Sequence, residues 1–259
     1  MNKQPIGIFD SGVGGTSIWS AIHALLPNEN TIYLADSVNA PYGSKGKEAI
    51  LALSIKNTEY LLSQNCKLIV VACNTATTNA IGYLREHYNV PIIGIEPAIK
   101  PAALQTQTKA IGVLATRGTL SSELFCNTTQ LYSNGIKIIE QEGEGIVQLI
   151  ESGQINSPQM VELLKGYLKP MLEVNIDYLV LGCTHYPYLI DQLVNMLPNN
   201  VKIIDSGAAV ARQTKTVLEE FELSNTTITG PNLNFFSNGN PEVMHVLLKK
   251  RYKVEYLNF

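Results

Sequence analysis

The chain has 259 residues, of which 45% are hydrophobic and 16% are charged, and its formal net charge at pH 7 is −3. This hydrophobic content is sufficient for two cores of ordinary size, and the lack of a basic cluster argues against nucleic acid as the main partner. The longest apolar runs have the length of a strand and no signal peptide is visible, so we expect a cytoplasmic protein without a membrane span.

Apolar runs of strand length alternate with helix-like stretches along the chain. The predicted strands are 6–9, 32–35, 68–72, 92–95, 111–115, 136–139, 178–181 and 202–204, and the clearest predicted helices are 17–26, 47–64, 121–131 and 158–174. This alternation predicts βαβ units with mostly parallel sheets. A last helix at 241–251 and a strand at 254–257 lie beyond this pattern, and we expect them to return to the first domain.

An internal repeat with an offset of about 105 to 110 residues divides the chain into two similar halves. Ile6-Gly7-Ile8-Phe9 recurs as Ile111-Gly112-Val113-Leu114, and Cys73 recurs as Cys183. So long a period indicates duplicated domains and not a solenoid. We therefore predict an α/β fold of two pseudo-symmetric domains, each a mostly parallel sheet flanked by helices, with the active site in the cleft between them. The expected domains are 1–97 plus 208–259, and 98–207.

A glycine-rich loop, Asp10-Ser11-Gly12-Val13-Gly14-Gly15-Thr16, follows the first predicted strand. Glycines let the backbone turn tightly and present N–H groups, and the N-terminus of the following helix favours an anion. The spacing is neither that of a P-loop nor that of a dinucleotide-binding loop. A plain strand-to-helix turn is the alternative interpretation.

Cys73 and Cys183 each end an apolar run and are predicted to lie immediately before a helix. A thiol at a helix N-terminus can have its pKa lowered from about 8.5 to roughly 3.5–7.5. Packing is the ordinary role of one such cysteine, but polar neighbours follow both of these, which favours reactive thiols. Cys66 and Cys126 are instead predicted to pack. Because a cytosolic chain of this size is not a disulfide scaffold, we expect all four cysteines to be free.

Three kinds of chemistry could use two thiols from opposite domains. A zinc site could be built from Cys73, Cys183 and His185, but their spacing is not a recognised zinc pattern. A redox disulfide usually has its partners closer in sequence. Proton transfer on both faces of one carbon suits a pseudo-twofold site, because substrate and product are then mirror images at the reacting carbon.

Five motifs in a fixed order resemble one known family. They are Phe9-Asp10-Ser11-Gly12-Val13-Gly14-Gly15, Pro41-Tyr42-Gly43, Cys73-Asn74-Thr75-Ala76, Ala115-Thr116-Arg117-Gly118-Thr119 and Gly182-Cys183-Thr184-His185-Tyr186-Pro187. Over nearly its whole length the chain resembles the glutamate racemases of the aspartate/glutamate racemase superfamily. The resemblance implies interconversion of L- and D-glutamate without a cofactor or metal, to supply D-glutamate for peptidoglycan. It also implies a homodimer.

The resemblance implies specific roles for five residues. Cys73 would remove the α-proton of D-glutamate, and Cys183 that of L-glutamate. Asp10 and His185 would be the auxiliary acid/base groups beside Cys73 and Cys183, respectively. Glu151 would be a further carboxylate, with a solvated residue near a helix end as the alternative interpretation.

Further residues match the substrate-binding positions of the family. They are Asp10, Ser11, Pro41, Tyr42, Gly43, Asn74, Thr75, Thr116, Thr119, Thr184 and His185. Backbone N–H groups and hydroxyls can hold both carboxylates of glutamate through charge-assisted hydrogen bonds. From the residues alone, Pro41-Tyr42-Gly43 could be only a turn, and Thr116 or Thr119 only a helix N-cap.

Two other functions stay open at this point. One is a racemase of broad specificity for aspartate and glutamate, although Thr184-His185 is similar to the glutamate-specific members and aspartate racemases tend to carry a glutamate near this position. The other is a non-catalytic amino-acid-binding protein on the same fold, in which the thiols only line a cleft.

Overall fold

The structure, a computed structural model, describes residues 2–227 and 230–259. Within these ranges the strands are β1 (Ile6–Asp10), β2 (Thr31–Ala35), β3 (Leu68–Val71), β4 (Ile92–Gly94), β5 (Ala110–Ala115), β6 (Lys137–Glu142), β7 (Tyr178–Gly182), β8 (Lys202–Ile204), β9 (Leu233–Ser237) and β10 (Val254–Tyr256). The helices are α1 (Thr16–Leu25), α2 (Lys47–Ser63), α3 (Asn74–His87), α4 (Ile99–Gln105), α5 (Arg117–Leu120), α6 (Glu123–Tyr132), α7 (Ile146–Glu151), α8 (Pro158–Glu173), α9 (Ile190–Met196), α10 (Gly207–Glu220) and α11 (Pro241–Leu247). Short 3-10 turns occupy Ser37–Asn39, Tyr42–Ser44 and Tyr186–Leu189.

The strands form two sheets in which the pairings of the described residues are parallel. The strand order is β10-β9-β2-β1-β3-β4 in the first sheet and β6-β5-β7-β8 in the second. The order β2-β1-β3-β4 is thus repeated as β6-β5-β7-β8. This confirms the α/β fold with two similar halves that the sequence repeat predicts.

Two glycines occupy equivalent places in the two sheets. Gly7 of β1 pairs with Ile32 and Ile69, while Gly112 of β5 pairs with Ile139 and Leu179. A Cβ on Gly7 would lie 2.9 Å from Ile69 Cδ1 and 3.1 Å from Leu61 Cβ of α2, and a Cβ on Gly112 would lie 2.6 Å from Met171 Sδ of α8. Glycine therefore allows a helix to approach each sheet closely at the same point of the repeat.

Burial explains why the central strands read as continuous apolar runs. All residues of β1 and β7 are buried, as expected for parallel strands covered by helices on both faces. Helix α8 buries one stripe, with Met160, Leu164, Leu168 and Met171 at helical spacing. Its start is fixed by Ser157, whose Oγ accepts a hydrogen bond from the Met160 N–H.

The C-terminal segment extends the first sheet. Strand β9 pairs with β2, and β10 pairs with β9. The sequence predicts β10 but misses β9, because Asn234 interrupts its short apolar run. A buried ion pair fastens the chain after α10 to the same half, since Lys67 Nζ lies 2.6 Å from Glu29 Oε2 and donates a hydrogen bond of 2.7 Å to the Leu223 carbonyl.

We call the six-stranded sheet with α1, α2, α3, α10 and α11 the first lobe, and the four-stranded sheet with α4 to α9 the second lobe. The chain crosses between the lobes after β4 and again after β8. These crossings lie side by side, because Ser206 Oγ donates a hydrogen bond to the Glu96 carbonyl. In the ranges that the structure describes, no helix is long and apolar enough to cross a membrane.

The two cysteines predicted to pack have different surroundings. Cys66 is buried, as predicted, whereas Cys126 is exposed. The prediction for Cys126 is wrong because α6 turns Phe125 inward and the next residue therefore points away from the core.

Candidate active site

The carboxyl ends of the central strands bring the chemically interesting residues to a cleft between the lobes. The cleft has an empty volume of about 260 Å³. Its lining residues are Ser11, Pro41, Tyr42, Gly43, Cys73, Asn74, Thr75, Thr116, Val147, Gly182, Cys183, Thr184 and His185. Strand ends of parallel sheets are the ordinary place for a ligand site. Of the residues that the sequence singles out, Asp10, Thr119 and Glu151 lie behind this lining, and Val147 and Gly182 are additions.

Cys73 is the N-cap of α3, as the sequence predicts. Its Sγ accepts a hydrogen bond of 3.4 Å from the Ala76 N–H and donates one of 3.6 Å to Ser11 Oγ. Burial raises the pKa of this thiol well above its usual value and the nearby Asp10 charge raises it further, while the Ala76 N–H opposes them. In this structure Cys73 is therefore a protonated thiol.

Cys183 does not have the same backbone environment. The residues after it form the 3-10 turn Tyr186–Leu189, and the Tyr186 N–H donates to the Cys183 carbonyl at 3.1 Å. The prediction of a helix directly after Cys183 is wrong because Pro187 has no N–H to make the corresponding α-helical bond. The partner of the Cys183 thiol is a side chain instead of a backbone N–H, since His185 Nδ1 lies 3.7 Å from Cys183 Sγ.

His185 connects Cys183 to a carboxylate. Its Nε2 lies 2.6 Å from Oε1 of Glu151. Burial lowers the pKa of His185, but its hydrogen bonds to Cys183 and Glu151 outweigh burial and raise that pKa well above the usual value. The raised pKa favours the imidazolium form of His185, whose Nδ1–H can donate to Cys183 Sγ.

Asp10 occupies the corresponding place beside Cys73. It is fully buried, and its Oδ2 accepts hydrogen bonds from the Gly15 N–H at 2.6 Å and from Thr184 Oγ1 at 3.1 Å. Ser11 Oγ lies between the acid and the thiol, 3.4 Å from Asp10 Oδ1. Burial raises the pKa of Asp10, although the charge of His185 and the Gly15 N–H partly oppose that rise.

The glycine-rich loop binds carboxylates of the protein itself. Its Gly15 N–H donates to Asp10, and its Val13 N–H donates to Glu151 Oε1 at 2.6 Å. The Glu151 side chain is only 14% exposed, and its Oε2 accepts a hydrogen bond of 2.9 Å from Ser37 Oγ. Glu151 is therefore not a solvated residue at a helix end, although it does end α7.

Polar groups suited to an amino acid surround the two thiols. Asn74 Oδ1 is buried and has no hydrogen-bond partner among the described residues, so it can accept from the ammonium group of a ligand. The hydroxyl of Thr75 lies 2.9 Å from that of Thr116 and 3.4 Å from that of Thr119. This cluster joins the lobes at one end of the cleft and offers rotatable O–H donors to a carboxylate.

The turn Tyr42–Ser44 both turns the chain and lines the cleft. The hydroxyl of Tyr42 donates to Asp36 Oδ2 at 2.5 Å and accepts from Asn57 Nδ2 at 3.1 Å. Burial and the Asp36 charge raise the pKa of this phenol, which stays protonated. The phenol thus anchors the turn to the first lobe and does not serve as an acid or base.

Sequence reasoning misses several residues that join the lobes. Thr16 Oγ1 lies 2.5 Å from the hydroxyl of Tyr188, and Ser17 Oγ donates to the Thr184 carbonyl at 2.9 Å. Ser37 makes the third such contact, with Glu151. Ser37 lies two residues after the end of β2, and this position is the one signal that could have identified it. In residues 2–227 and 230–259 no group of three or more His, Cys, Asp and Glu side chains is arranged to hold a metal.

Comparisons with known proteins show which family the chain resembles. A family model described as Asp/Glu/hydantoin racemase matches residues 14–214. A glutamate racemase of Herpetosiphon aurantiacus is 44% identical over 241 residues, which cover 93% of this chain and 95% of the relative. The crystal structure of Escherichia coli glutamate racemase in complex with L-glutamate and the activator UDP-MurNAc-Ala is similar, with a TM-score of 0.86, 33% identity and 98% of both chains covered.

A second solved structure contains the other enantiomer. Glutamate racemase of Francisella tularensis in complex with D-glutamate has a TM-score of 0.85 and 28% identity, and the match covers 100% of this chain and 98% of that chain. The match to the family model extends over more than half of the present sequence. The chain therefore belongs to the Asp/Glu/hydantoin racemase family and, within it, to the glutamate racemases.

Proposed function

We propose that the chain interconverts L- and D-glutamate by moving the α-proton between two thiols, Cys73 and Cys183. The observation that carries this proposal is that both thiols line one cavity and each has its own acid/base partner. Related enzymes with L-glutamate and with D-glutamate bound support the choice of substrate. The supply of D-glutamate for peptidoglycan is part of the same proposal.

In the direction from L- to D-glutamate, the thiolate of Cys183 removes the α-proton and the thiol of Cys73 donates its proton to the opposite face of the carbanion. Cys183 then carries the proton and Cys73 is the thiolate. The hydrogen-bonded chain from Cys73 through Ser11 to Asp10 resembles the chain from Cys183 through His185 to Glu151. Each chain can take up or return the proton of its own thiol between turnovers.

The carbanion needs stabilisation, because the α-proton of an amino acid is a very weak acid and each ~1.4 kcal/mol of barrier corresponds to about a tenfold change in rate. The Asn74 acceptor suits the ammonium group, and the Thr75 and Thr116 hydroxyls suit a carboxylate. These fixed dipoles act most strongly when the cleft is closed and bulk water is excluded. Domain closure would therefore be part of catalysis.

The proposal also covers the domain division, the compartment and the assembly of the protein. The domain division 1–97 plus 208–259 and 98–207 agrees with the packing of α10 on α1 and of α4 on β7. Free thiols at the site need a reducing compartment, which supports action in the cytoplasm. A homodimer is the proposed assembly, and light scattering would measure its mass.

Proton NMR of the purified protein with D-glutamate in D₂O, alongside an assay for L-glutamate, tests this function. We expect the α-proton signal to disappear while L-glutamate forms without any added cofactor. L- and D-aspartate in the same assay measure how strict the substrate choice is. Bound glutamate without exchange, even at high protein concentration, would contradict the proposal and favour an amino-acid-binding protein.

A further inference from the structure

The carboxylate of Glu151 crosses from the second lobe to the first. In its own lobe it accepts a hydrogen bond from His185 Nε2 at 2.6 Å. In the first lobe it accepts two more, from the Val13 N–H at 2.6 Å and from Ser37 Oγ at 2.9 Å. Two of its three donors therefore belong to the opposite lobe, so this carboxylate bridges the cleft.

The glycine-rich loop has the shape that this carboxylate requires. A Cβ on Gly12 would lie 1.9 Å from Glu151 Oε1, and a Cβ on Gly14 would lie 2.3 Å from His185 Nδ1. Side chains at these positions would hold the lobes apart. The two glycines thus let the Glu151–His185 pair of one lobe dock against the backbone of the other.

We propose that Glu151 is a latch that holds the lobes closed, because its carboxylate binds Ser37 and the glycine-rich loop of the first lobe. Closure thereby fixes His185 beside Cys183. Glu151 and Ser37 are positioning residues in this proposal, because neither lines the cavity and both act through His185. The proposal rests on the proposed function and adds to it the contact that couples domain closure to the partner of one thiol.

The latch couples two events that catalysis needs together. In the open state the carboxylate keeps only His185 as a partner among these three donors, and water surrounds the pair. Closure adds the Val13 and Ser37 donors, removes water and places the imidazolium against the first lobe. Cys183 then gains its fully ordered partner only when substrate is enclosed.

Ser37→Ala tests the latch, because it removes one donor and leaves the cavity lining intact. We expect the KM of both enantiomers to rise about tenfold, as for loss of a hydrogen bond to a charged group, while kcat changes less than twofold. The amide of Val13 should exchange with D₂O faster than in the wild type. The control Ser63→Ala, which removes an exposed hydroxyl bonded to the Tyr60 carbonyl on α2, should change neither quantity.

Glu151→Gln separates the charge from the contact. The amide oxygen can still accept from Val13, but the negative charge beside His185 is gone, while Cys183 and Asp10 still face that ring. The pKa of His185 should fall, so the imidazolium is lost at lower pH and the alkaline limb of the kcat profile moves to lower pH. Ser37→Ala should leave that limb where it is.

Unchanged KM values and unchanged exchange of the Val13 amide in an active Ser37→Ala enzyme would overturn the latch. A wild-type protein that binds glutamate without racemising it would overturn the proposed function. In that case faster exchange at Val13 and weaker glutamate binding by calorimetry in Ser37→Ala would still support the latch, so the two failures are distinguishable.

Discussion

Thr184 Oγ1 donates a hydrogen bond of 3.1 Å to Oδ2 of Asp10, so the residue that follows Cys183 binds the carboxyl group that lies beside Cys73. The bond joins the two halves of the site across the cleft. A change of charge on Asp10 is therefore felt beside Cys183, and the charge of His185 is felt at Asp10. This connection suits a reaction in which one thiol must be charged while the other is neutral.

Single cysteine variants should divide the reaction into its two faces. In D₂O, Cys183→Ser should still exchange the α-proton of D-glutamate through Cys73 without inversion, and should lose roughly 10²-fold or more of the exchange of L-glutamate. Cys73→Ser should show the opposite preference. Proton NMR of each enantiomer measures both rates. The exposed Cys126 provides the control Cys126→Ser, which should match the wild type, and equal loss for both enantiomers in both variants would contradict separate roles.

Asp10→Asn should make the protein more stable and less active. Burial raises the pKa of Asp10, so the stability that its carboxyl contributes is greatest below the unfolded value near 3.8 and is lost as pH rises through the higher folded pKa. Asn carries no charge to bury, and each kcal/mol gained near neutral pH should raise the melting temperature by about 2–4 °C.

Scanning calorimetry at several pH values checks this stability effect, and the difference from the wild type should shrink as pH falls towards 4. Racemisation should drop about a hundredfold, because the acid beside Cys73 is lost. A variant that is less stable than the wild type at pH 7 would show that the hydrogen bonds of the carboxylate outweigh its burial.

Gly118→Ala should hold the mouth of the cleft open. A Cβ at this position would lie 2.8 Å from Thr75 Cγ2 and 3.1 Å from Gly43 Cα, both in the first lobe. Overpacking of this kind destabilises the closed state by about 1–3 kcal/mol. The KM of both enantiomers should therefore rise tenfold or more without loss of the fold. Steady-state kinetics and circular dichroism measure the two effects.

Gly166→Ala is the matched control for that variant. Gly166 lies on α8 with no atom within 4 Å of an added Cβ among the residues described, and alanine there should stabilise the helix by about 0.5–1 kcal/mol. Its KM should equal that of the wild type. An unaltered KM in Gly118→Ala would show that the lobes need not meet at this point.

Lys67→Met should reduce stability strongly without touching the site. Lys67 and Glu29 are both buried, and removal of one partner leaves a buried charge uncompensated, which costs about 3–5 kcal/mol. Urea unfolding followed by fluorescence measures the change. The Asn225 N–H also donates a hydrogen bond of 2.7 Å to Glu29 Oε1. The double variant Lys67→Met with Glu29→Leu should recover much of the loss. A double variant no more stable than the single one would assign the effect to the hydrogen bonds with Leu223 and Asn225 instead.

Much of the fold is predictable because its strands are buried on both faces and therefore read as apolar runs. The eight strands of the repeat lie within one or a few residues of their predicted positions, and the repeat indicates the common strand order. Strand β9 escapes prediction because Asn234 interrupts its apolar run, although it is as long as β1. The helix expected after Cys183 fails because one proline removes the N–H that the helix needs.

The candidate site is only partly predictable, because its contacts join distant parts of the chain. Cys73 and Cys183 are identifiable from their position at strand ends and from the repeat. The surroundings of Glu151 are not, since its partner Val13 is 138 residues away in sequence. Ser37 has no local signal beyond its place after a strand, and its role depends on how the lobes meet.

The hydrogen bond between Ser206 and the Glu96 carbonyl, which fastens the two crossings together, limits how the lobes can move. Two adjacent connections act as a hinge, because they permit rotation of the lobes about one axis and resist sliding of one lobe past the other. A single opening angle then sets the separation of the Cys73 and Cys183 thiols across the substrate. The geometry for transfer to both faces of one carbon is consequently reached at one value of that angle.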